Sequence, residues 1–586
     1  MAHRLFRIIY FLFSALFPWL ALGPIGGRLG NIPMRLAVFC ILALGGAWLF
    51  RKGWYQHGWG IAILFTVLGY GTIYKIASLI PDVSTYPFSL AWSEASRYYY
   101  ASLWLSSQTY GFHIPPSVLH PSRYLMQAIP FLIPNSPLWL SRLWQDLLWV
   151  VTSGLAGWLL ARKLSAPNQK RPIIVYLAII FWAFLFLFQG PVYYHLLLMV
   201  IVVLWGFDSR RFWRTLMLVL LASVWAGISR VNWLPVPGML AATLYLSEVR
   251  VQGKLIWRYL VPPAIWVIIG TGAGYATQQA YQLWSGNPPA LFGSSFTSDL
   301  LWYRLLPNPT FPLGVLPSAI MVSLPILCLA GLRLLKRWRD YHLIRLLGLA
   351  AILFVLFAGG IIVSVKIGGG SNLHNLDAYL SLLLVIGSLV YFERLQPDHP
   401  GTVAEAAPEQ VHFAQNDTLR WAEGLFIAAA VAIPLYFTLI TGSQLPQRDF
   451  TAAQSALQTI RETAQQAAQN GGEVLFINQR HLLTFDYIKD VPLVPENELV
   501  FLMEMAMSNN TTYMDAFHSD IQNQRFALIV SEPLTIQYQG RSHSFGEEND
   551  AWVERVSEPV LCYYEPSIKL DSVGVVLYVP RSTPCK

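Results

Sequence analysis

Apolar stretches long enough to cross a bilayer recur through the first 441 residues of this 586-residue chain. In lipid a stretch of about 20 such residues is stable as a helix, whose amides and carbonyls satisfy one another where no water can reach. The stretches fall at 5–22, 34–50, 59–80, 137–161, 172–189, 191–206, 213–229, 232–248, 256–276, 314–335, 346–365, 376–392 and 422–441, about thirteen in all. Composition agrees, with 55% of residues hydrophobic and 12% charged, where a soluble domain carries roughly 25% charge. The 22 Trp and 28 Tyr suit helices whose ends lie at two lipid–water interfaces. The opening Met-Ala-His-Arg-Leu-Phe-Arg resembles the start of a signal peptide, but no small-residue cleavage site follows, so a retained first helix is predicted.

The formal charge is +8, and in a membrane protein such an excess usually lies in cytoplasmic loops. No basic run has nucleic-acid spacing, so no nucleic-acid partner is expected. With Arg4 and Arg7 counted as cytoplasmic, alternate connections hold Arg51 and Lys52; Arg162, Lys163, Lys170 and Arg171; Arg210, Arg211 and Arg214; Arg250, Lys254 and Arg258; and Arg333, Lys336, Arg337, Arg339 and Arg345. Every basic cluster then falls on one side, and one miscounted helix would have moved all later clusters to the other. The pattern predicts a multi-pass protein of the plasma (inner) membrane with a cytoplasmic N-terminus. Its outward face receives the connections 81–136 and 277–313, the turn from Lys366 to Asn375, and the chain from 442 onward. The segment 394–420, with Pro-Asp-His-Pro-Gly, reads as a cytoplasmic linker.

Residues 442–586 change character and read as an extracytoplasmic α/β domain appended to the 1–441 transmembrane domain. A helix over 450–470 stops at Gly471-Gly472 before the strand Glu-Val-Leu-Phe-Ile-Asn, and a helix over 509–523 leads into Phe-Ala-Leu-Ile-Val. Val-Gly-Val-Val-Leu-Tyr-Val forms a further strand, so helices pack on a small sheet. Cys562 and Cys585 are a candidate disulfide in an oxidising compartment, whereas Cys40 and Cys328 lie in apolar runs as small core residues.

Two acids enter the first long outward loop, Asp82 in Ile-Pro-Asp-Val and Glu94 in Trp-Ser-Glu-Ala-Ser-Arg-Tyr-Tyr-Tyr. Residues 93–106 read as an amphipathic helix lying in the interface with one face in lipid, Ser93 as its cap and Glu94 in its first turn. The bland reading of Glu94 is a carboxylate favoured by the helix dipole, and that of Asp82 a Pro-Asp turn. Farther on stand His113, His120 and Arg123, in spacings that match no zinc site. Arg230 and Asn232 occupy a tight turn between apolar helices, and Lys366, Asn372, His374, Asn375 and Asp377 crowd another. Such groups either snorkel to water or form a cationic site for a phosphate or pyrophosphate.

Ser93-Glu94-Ala95-Ser96-Arg97-Tyr98 resembles the Asp-Glu-Ala-Arg-Tyr loop motif of the glycosyltransferase C superfamily, in the branch of protein O-mannosyltransferases and lipid A aminoarabinose transferases. Ser93 stands where that family has aspartate, one residue is added before Arg97, and two further helices precede the module. The resemblance implies an enzyme that transfers a sugar from a polyprenyl-phosphate donor to a lipid, glycan or protein acceptor at the outer membrane face. It implies Glu94, or failing it Asp82, as the catalytic carboxylate. Arg97, Arg230, Lys366 and His374 would hold the donor phosphate, and Tyr98, His120, Arg123, Asn232, Asn375 and Asp377 would contact substrate. One carboxylate suffices for an inverting displacement. A divalent cation, Mg or Mn, held by Asp82 and Glu94 with the phosphate is compatible with the oxygen ligands, though the sequence shows no dedicated cage. The rival readings are a lipid or glycan transporter, against which stands the placing of nearly all charge at helix ends, and a non-catalytic membrane scaffold.

Overall fold

The computed structural model describes residues 2–165, 172–251, 255–398, 417–441, 445–583 and 585. The predicted linker lies largely outside them, at 399–416, as do Lys170, Arg171 and Lys254. The protein is mainly helical (69%), with a small C-terminal sheet.

In chain order the helices are α1 Ala2–Ser14, α2 Leu16–Leu22, α3 Ile32–Gly53, α4 Trp59–Ala77, α5 Glu94–Ser102, α6 Ser106–Tyr110, α7 Pro121–Gln127, α8 Leu138–Leu164, α9 Ile173–Gln189, α10 Tyr194–Gly206, α11 Phe212–Gly227 and α12 Val236–Glu248. They continue with α13 Ile256–Trp284, α14 Ser294–Thr297, α15 Val315–Arg337, α16 Leu343–Ser364, α17 Asp377–Tyr391, α18 Asp417–Ile440, α19 Phe450–Gln469, α20 His481–Thr484, α21 Leu499–Met507, α22 Thr511–Gln522, α23 Gly546–Trp552 and α24 Glu558–Tyr563. Helix forms at each of the thirteen apolar stretches, yet among the described residues nine helical segments are long and apolar enough to cross a membrane. At about 1.5 Å per residue, α9, α10, α11 and α12 fall short of a hydrocarbon core about 30 Å thick. The first stretch is divided at Ala15, because Pro18 has no amide to offer the Ser14 carbonyl and its ring crowds that turn.

Contacts gather alternate connections at the same end of the bundle. At one end, the basic end, Lys163 meets Glu248 at 3.5 Å, Arg345 donates to the Leu246 and Ser247 carbonyls and pairs with Asp398 at 2.8 Å, and Arg337 pairs with Glu393. At the other, the loop end, the Ser122 and Ser229 hydroxyls bond at 2.6 Å, Tyr281 donates to the Ser117 carbonyl, and Leu301 donates to the Val365 carbonyl. Small residues let α13 approach its neighbours. A Cβ on Gly238 would lie 2.6 Å from the Trp266 carbonyl oxygen and the Val267 Cα, and one on Gly227 would collide with the Gly274 carbonyl.

Four strands form the sheet: β1 Glu473–Phe476, β2 Phe526–Ser531, β3 Tyr564–Leu570 and β4 Val575–Pro580, in the order β1-β2-β4-β3. β1 and β2 are parallel, and β4 runs antiparallel to both β2 and β3. Asp449 caps α19, whose Ala453, Ala456, Leu457, Ile460 and Ala464 pack on one sheet face. The chain leaves α19 through Gly471 at φ +79°, the left-handed geometry glycine favours. β3 was not legible beforehand, since Pro566 interrupts its pattern; proline is tolerated there because β3 lies at the sheet edge. Cys562 and Cys585 are joined as a disulfide, with Cα atoms 5.0 Å apart.

The α/β part is bonded to the loop end along its length. Arg304 lies fully buried and pairs with Glu547 at 3.0 Å and Glu548 at 2.6 Å, while Lys366 pairs with Glu504 at 2.6 Å. His481 bonds the Pro87 carbonyl, Gln479 accepts from the Ser89 amide, and the Tyr110 and Thr484 hydroxyls meet at 2.8 Å.

Candidate functional site

The acids and bases of the 81–136 loop divide into those that hold the fold and those left without partners. α5 is the hub. The sequence predicted an interfacial helix over 93–106 with one face in lipid; instead the helix ends at Ser102 and all its residues but Arg97 are buried. The reason is the α/β part: Phe485 packs on Tyr98, and the Pro495 carbonyl accepts from Tyr99. Ser93 makes no side-chain cap.

Glu94 is fully engaged. Its Oε1 accepts from Arg142 Nε at 2.9 Å, and its Oε2 accepts from the Leu90 amide at 2.5 Å and from Arg142 Nη2 at 3.2 Å. Arg142 spends its other donors on the carbonyls of Ser84, Tyr86 and Phe88. Burial alone would push the Glu94 carboxyl up, but the Arg142 bonds outweigh it and hold the group below the usual carboxylate range. Glu94, the sequence's first choice as catalytic carboxylate, is therefore a paired group that pins the loop to α8.

Asp82 differs. It stands exposed in the short turn after α4, and its carboxylate has no recorded hydrogen bond or ion pair among the described residues. Within electrostatic reach of it lie Arg448, Arg97, Lys75 and Asp146, besides the Glu94–Arg142 pair. Arg97 is half-buried, and its Nε is shut from water without a partner. Asp146 is buried, with Oδ2 unpartnered. Lys75 lies 4.8 Å over the Phe188 ring. A shielded polar group without a partner costs about 1–3 kcal/mol, so Arg97 Nε and Asp146 Oδ2 add nothing to the stability of the fold.

Arg97 also acts electrostatically on Tyr124 and Tyr194, which leads to a second group. Tyr193 is flanked by two guanidiniums, Arg123 at 4.7 Å and Arg230 at 5.3 Å from its ring centre. Arg123 Nε is shielded and unpartnered. Arg230 pairs with Asp377 at 3.0 Å, and Asp377 also accepts from Trp233 Nε1 at 2.8 Å and Asn232 at 3.4 Å. His120, at φ +48°, faces the Ser229 carbonyl. Burial, reinforced by Arg230 and Arg123, holds its imidazole well below the usual range, so it is neutral.

Thus Asp82, Arg97, Arg123, Arg230, His120, Asn232 and Asp377 form one neighbourhood at the loop end. The other predicted residues are already engaged, His374 within this same neighbourhood, where its carbonyl faces Arg230 Nη1 at 3.5 Å. Lys366 is committed to Glu504, His374 Nδ1 to Asn372 Oδ1 at 2.6 Å, and the Asn375 amide to the Val363 carbonyl. Asn232 and Asp377 orient Arg230 rather than presenting free groups, and Tyr98 is buried with its hydroxyl unpartnered. Lys75, Arg142 and Asp146 were missed. The signal was present, because they are the only charged residues of the predicted spans 59–80 and 137–161, and charge inside a span points to function. Among the described residues no group of three or more His, Cys, Asp or Glu is placed to hold a metal ion. No protein-family model matches the chain, and no curated protein matches it.

Proposed function

We propose that this protein is an integral-membrane glycosyltransferase that moves a sugar from a polyprenyl-phosphate donor to a hydroxyl or amine acceptor at the loop end of its helices, with Asp82 rather than Glu94 as the catalytic base. One observation carries the reading: an exposed, unpaired carboxylate stands at the end of a candidate spanning helix within electrostatic reach of Arg97, whose Nε has no partner, on the same end of the bundle as Arg123 and Arg230, which flank Tyr193. In the proposed step the acceptor gives its proton to Asp82 as its oxygen or nitrogen bonds to the anomeric carbon. The bond from that carbon to the phosphate oxygen breaks, and the electron pair leaves with the phosphate. Arg97 and Arg123 stabilise the charge that develops there, and Arg230 contributes from its pair with Asp377.

The topology belongs to the same proposal. Thirteen passes place the loop end and the α/β part outside the cytoplasm, the short helices α9 to α12 crossing within the bundle where their broken ends are covered by protein. The test is sugar transfer by purified protein in lipid nanodiscs, from labelled polyprenyl-phosphate donors, comparing wild type with Asp82→Asn and Arg123→Gln. Transfer by wild type that falls about 10²- to 10⁴-fold in Asp82→Asn, with donor binding retained, supports the assignment. Undiminished transfer in Asp82→Asn removes it, and no transfer by wild type from any polyprenyl donor removes the enzyme reading.

A further inference from the structure

Away from the polar site, a cavity of about 230 Å³ lies among the basic-end halves of α4, α9, α15, α17 and α18. It is larger than the engineered cavity of roughly 150 Å³ that stays dry and takes up benzene. Its walls are apolar, including Phe65, Ala178, Trp182, Ile326 and Ala430; Ser388, Tyr391 and the Trp182 indole supply the polar atoms, and the indole N–H is already bonded to the Ala430 carbonyl. The cavity follows the seam between the core packed around α1 to α4 and the main bundle core.

Three features limit what can fill it. Toward the loop end it is closed, because Leu68 and Leu185 are buried and a Cβ on Gly71 would already lie 2.6 Å from Leu435 and 3.3 Å from Leu185. At the basic end Tyr391 donates to Glu423, which pairs with Arg333 at 2.6 Å, while the Arg333 guanidinium lies 5.1 Å from the Tyr391 ring centre. On the flank the nearby residues Ile61 and Leu425 are exposed on the apolar surface of helices long enough to span, and Ile173 is exposed at the start of the shorter apolar α9, so hydrocarbon is what the cavity meets.

We propose that this cavity seats one acyl chain of a resident phospholipid from the basic-end leaflet, its headgroup level with Arg333, and that this chain seals the seam. The inference rests on the membrane reading and not on sugar transfer. The donor's own tail is the alternative source of hydrocarbon, and the closure at Leu68, Leu185 and Leu435 stands between it and the cavity.

Native mass spectrometry of the detergent-purified protein, with lipid extraction and identification, tests this on wild type, Ala178→Trp and Ala430→Trp. The expected result is phospholipid retained on wild type and occupancy lower by about tenfold in the filled variants, with Val224→Trp, on the exposed face of α11, retaining it. A phospholipid with a photoreactive acyl chain should crosslink wild type within 174–182 or 427–431, a readout that stands even if a filled variant fails to fold. Absence of crosslinks there, undiminished lipid in both filled variants, or polyprenyl phosphate as the retained lipid would overturn the proposal.

Discussion

Two carboxylates twelve residues apart have opposite environments, and this sets what their substitution should do. Glu94→Gln weakens the hold on a buried Arg142 that also supports three carbonyls, so a loss of about 3–5 kcal/mol is expected, read by thermal or chemical unfolding in detergent. Asp82→Asn alters an exposed, unpaired group, and stability should stay within about 0.5 kcal/mol while transfer collapses. A stable but inactive Glu94→Gln would reverse the two roles. His481 gives a pH dependence. Burial holds its imidazole at about 4, against Glu94 and the bond to Pro87, so between an unfolded value of 6.5 and about 4 only the unfolded chain takes up the proton. Stability should therefore fall as pH drops through that window, by up to about 3 kcal/mol, and His481→Gln should flatten the fall. Unfolding measured at pH 7 and pH 5 decides it. Glu94 has its carboxyl depressed, so it adds its own loss only below its ordinary 4.5.

Among the elements, periodicity located the helices because twenty apolar residues leave lipid few alternatives, and it located α19, α22, β1, β2 and β4 because helix stops and alternating apolar residues lie in the sequence itself. It failed at α5. The same Tyr-rich pattern fits a lipid-facing helix and a helix buried under another part of the chain, and only the position of Phe485 and Pro495 distinguishes them. Close helix packing was equally invisible. At α12 and α13 a methyl on Gly238 meets backbone on the facing helix, so Gly238→Ala should cost about 1–3 kcal/mol although alanine is the better helix former. An unchanged melting temperature would show that the two helices can separate without penalty.

At the scale of the whole molecule, the α/β part is fixed to the loop end by buried charge. Arg304→Met would leave Glu547 with Tyr303 and Arg541 and Glu548 with the Gly368 amide but no buried cation, and about 3 kcal/mol of docking stability should be lost, seen as faster proteolysis near residues 445–449. Lys366→Met breaks a pair that is partly exposed and should cost about 1 kcal/mol or less. Equal proteolysis of the two variants would mean that docking rests on apolar contact instead.

The sequence by itself determined a mainly helical chain with apolar helices long enough to cross a membrane, the alternation of basic connections and the change to an α/β part, because each follows from local hydropathy, charge and turn chemistry. It brought Asp82, Arg97, Arg123 and Arg230 forward as candidates, and it ranked Glu94 above Asp82. The reversed order proposed above rests on Arg142, forty-eight residues beyond Glu94, and on the unpartnered Asp146 on the same helix. Whether a carboxylate is free or spent is a property of the groups that surround it in space, and only the tertiary structure decided it.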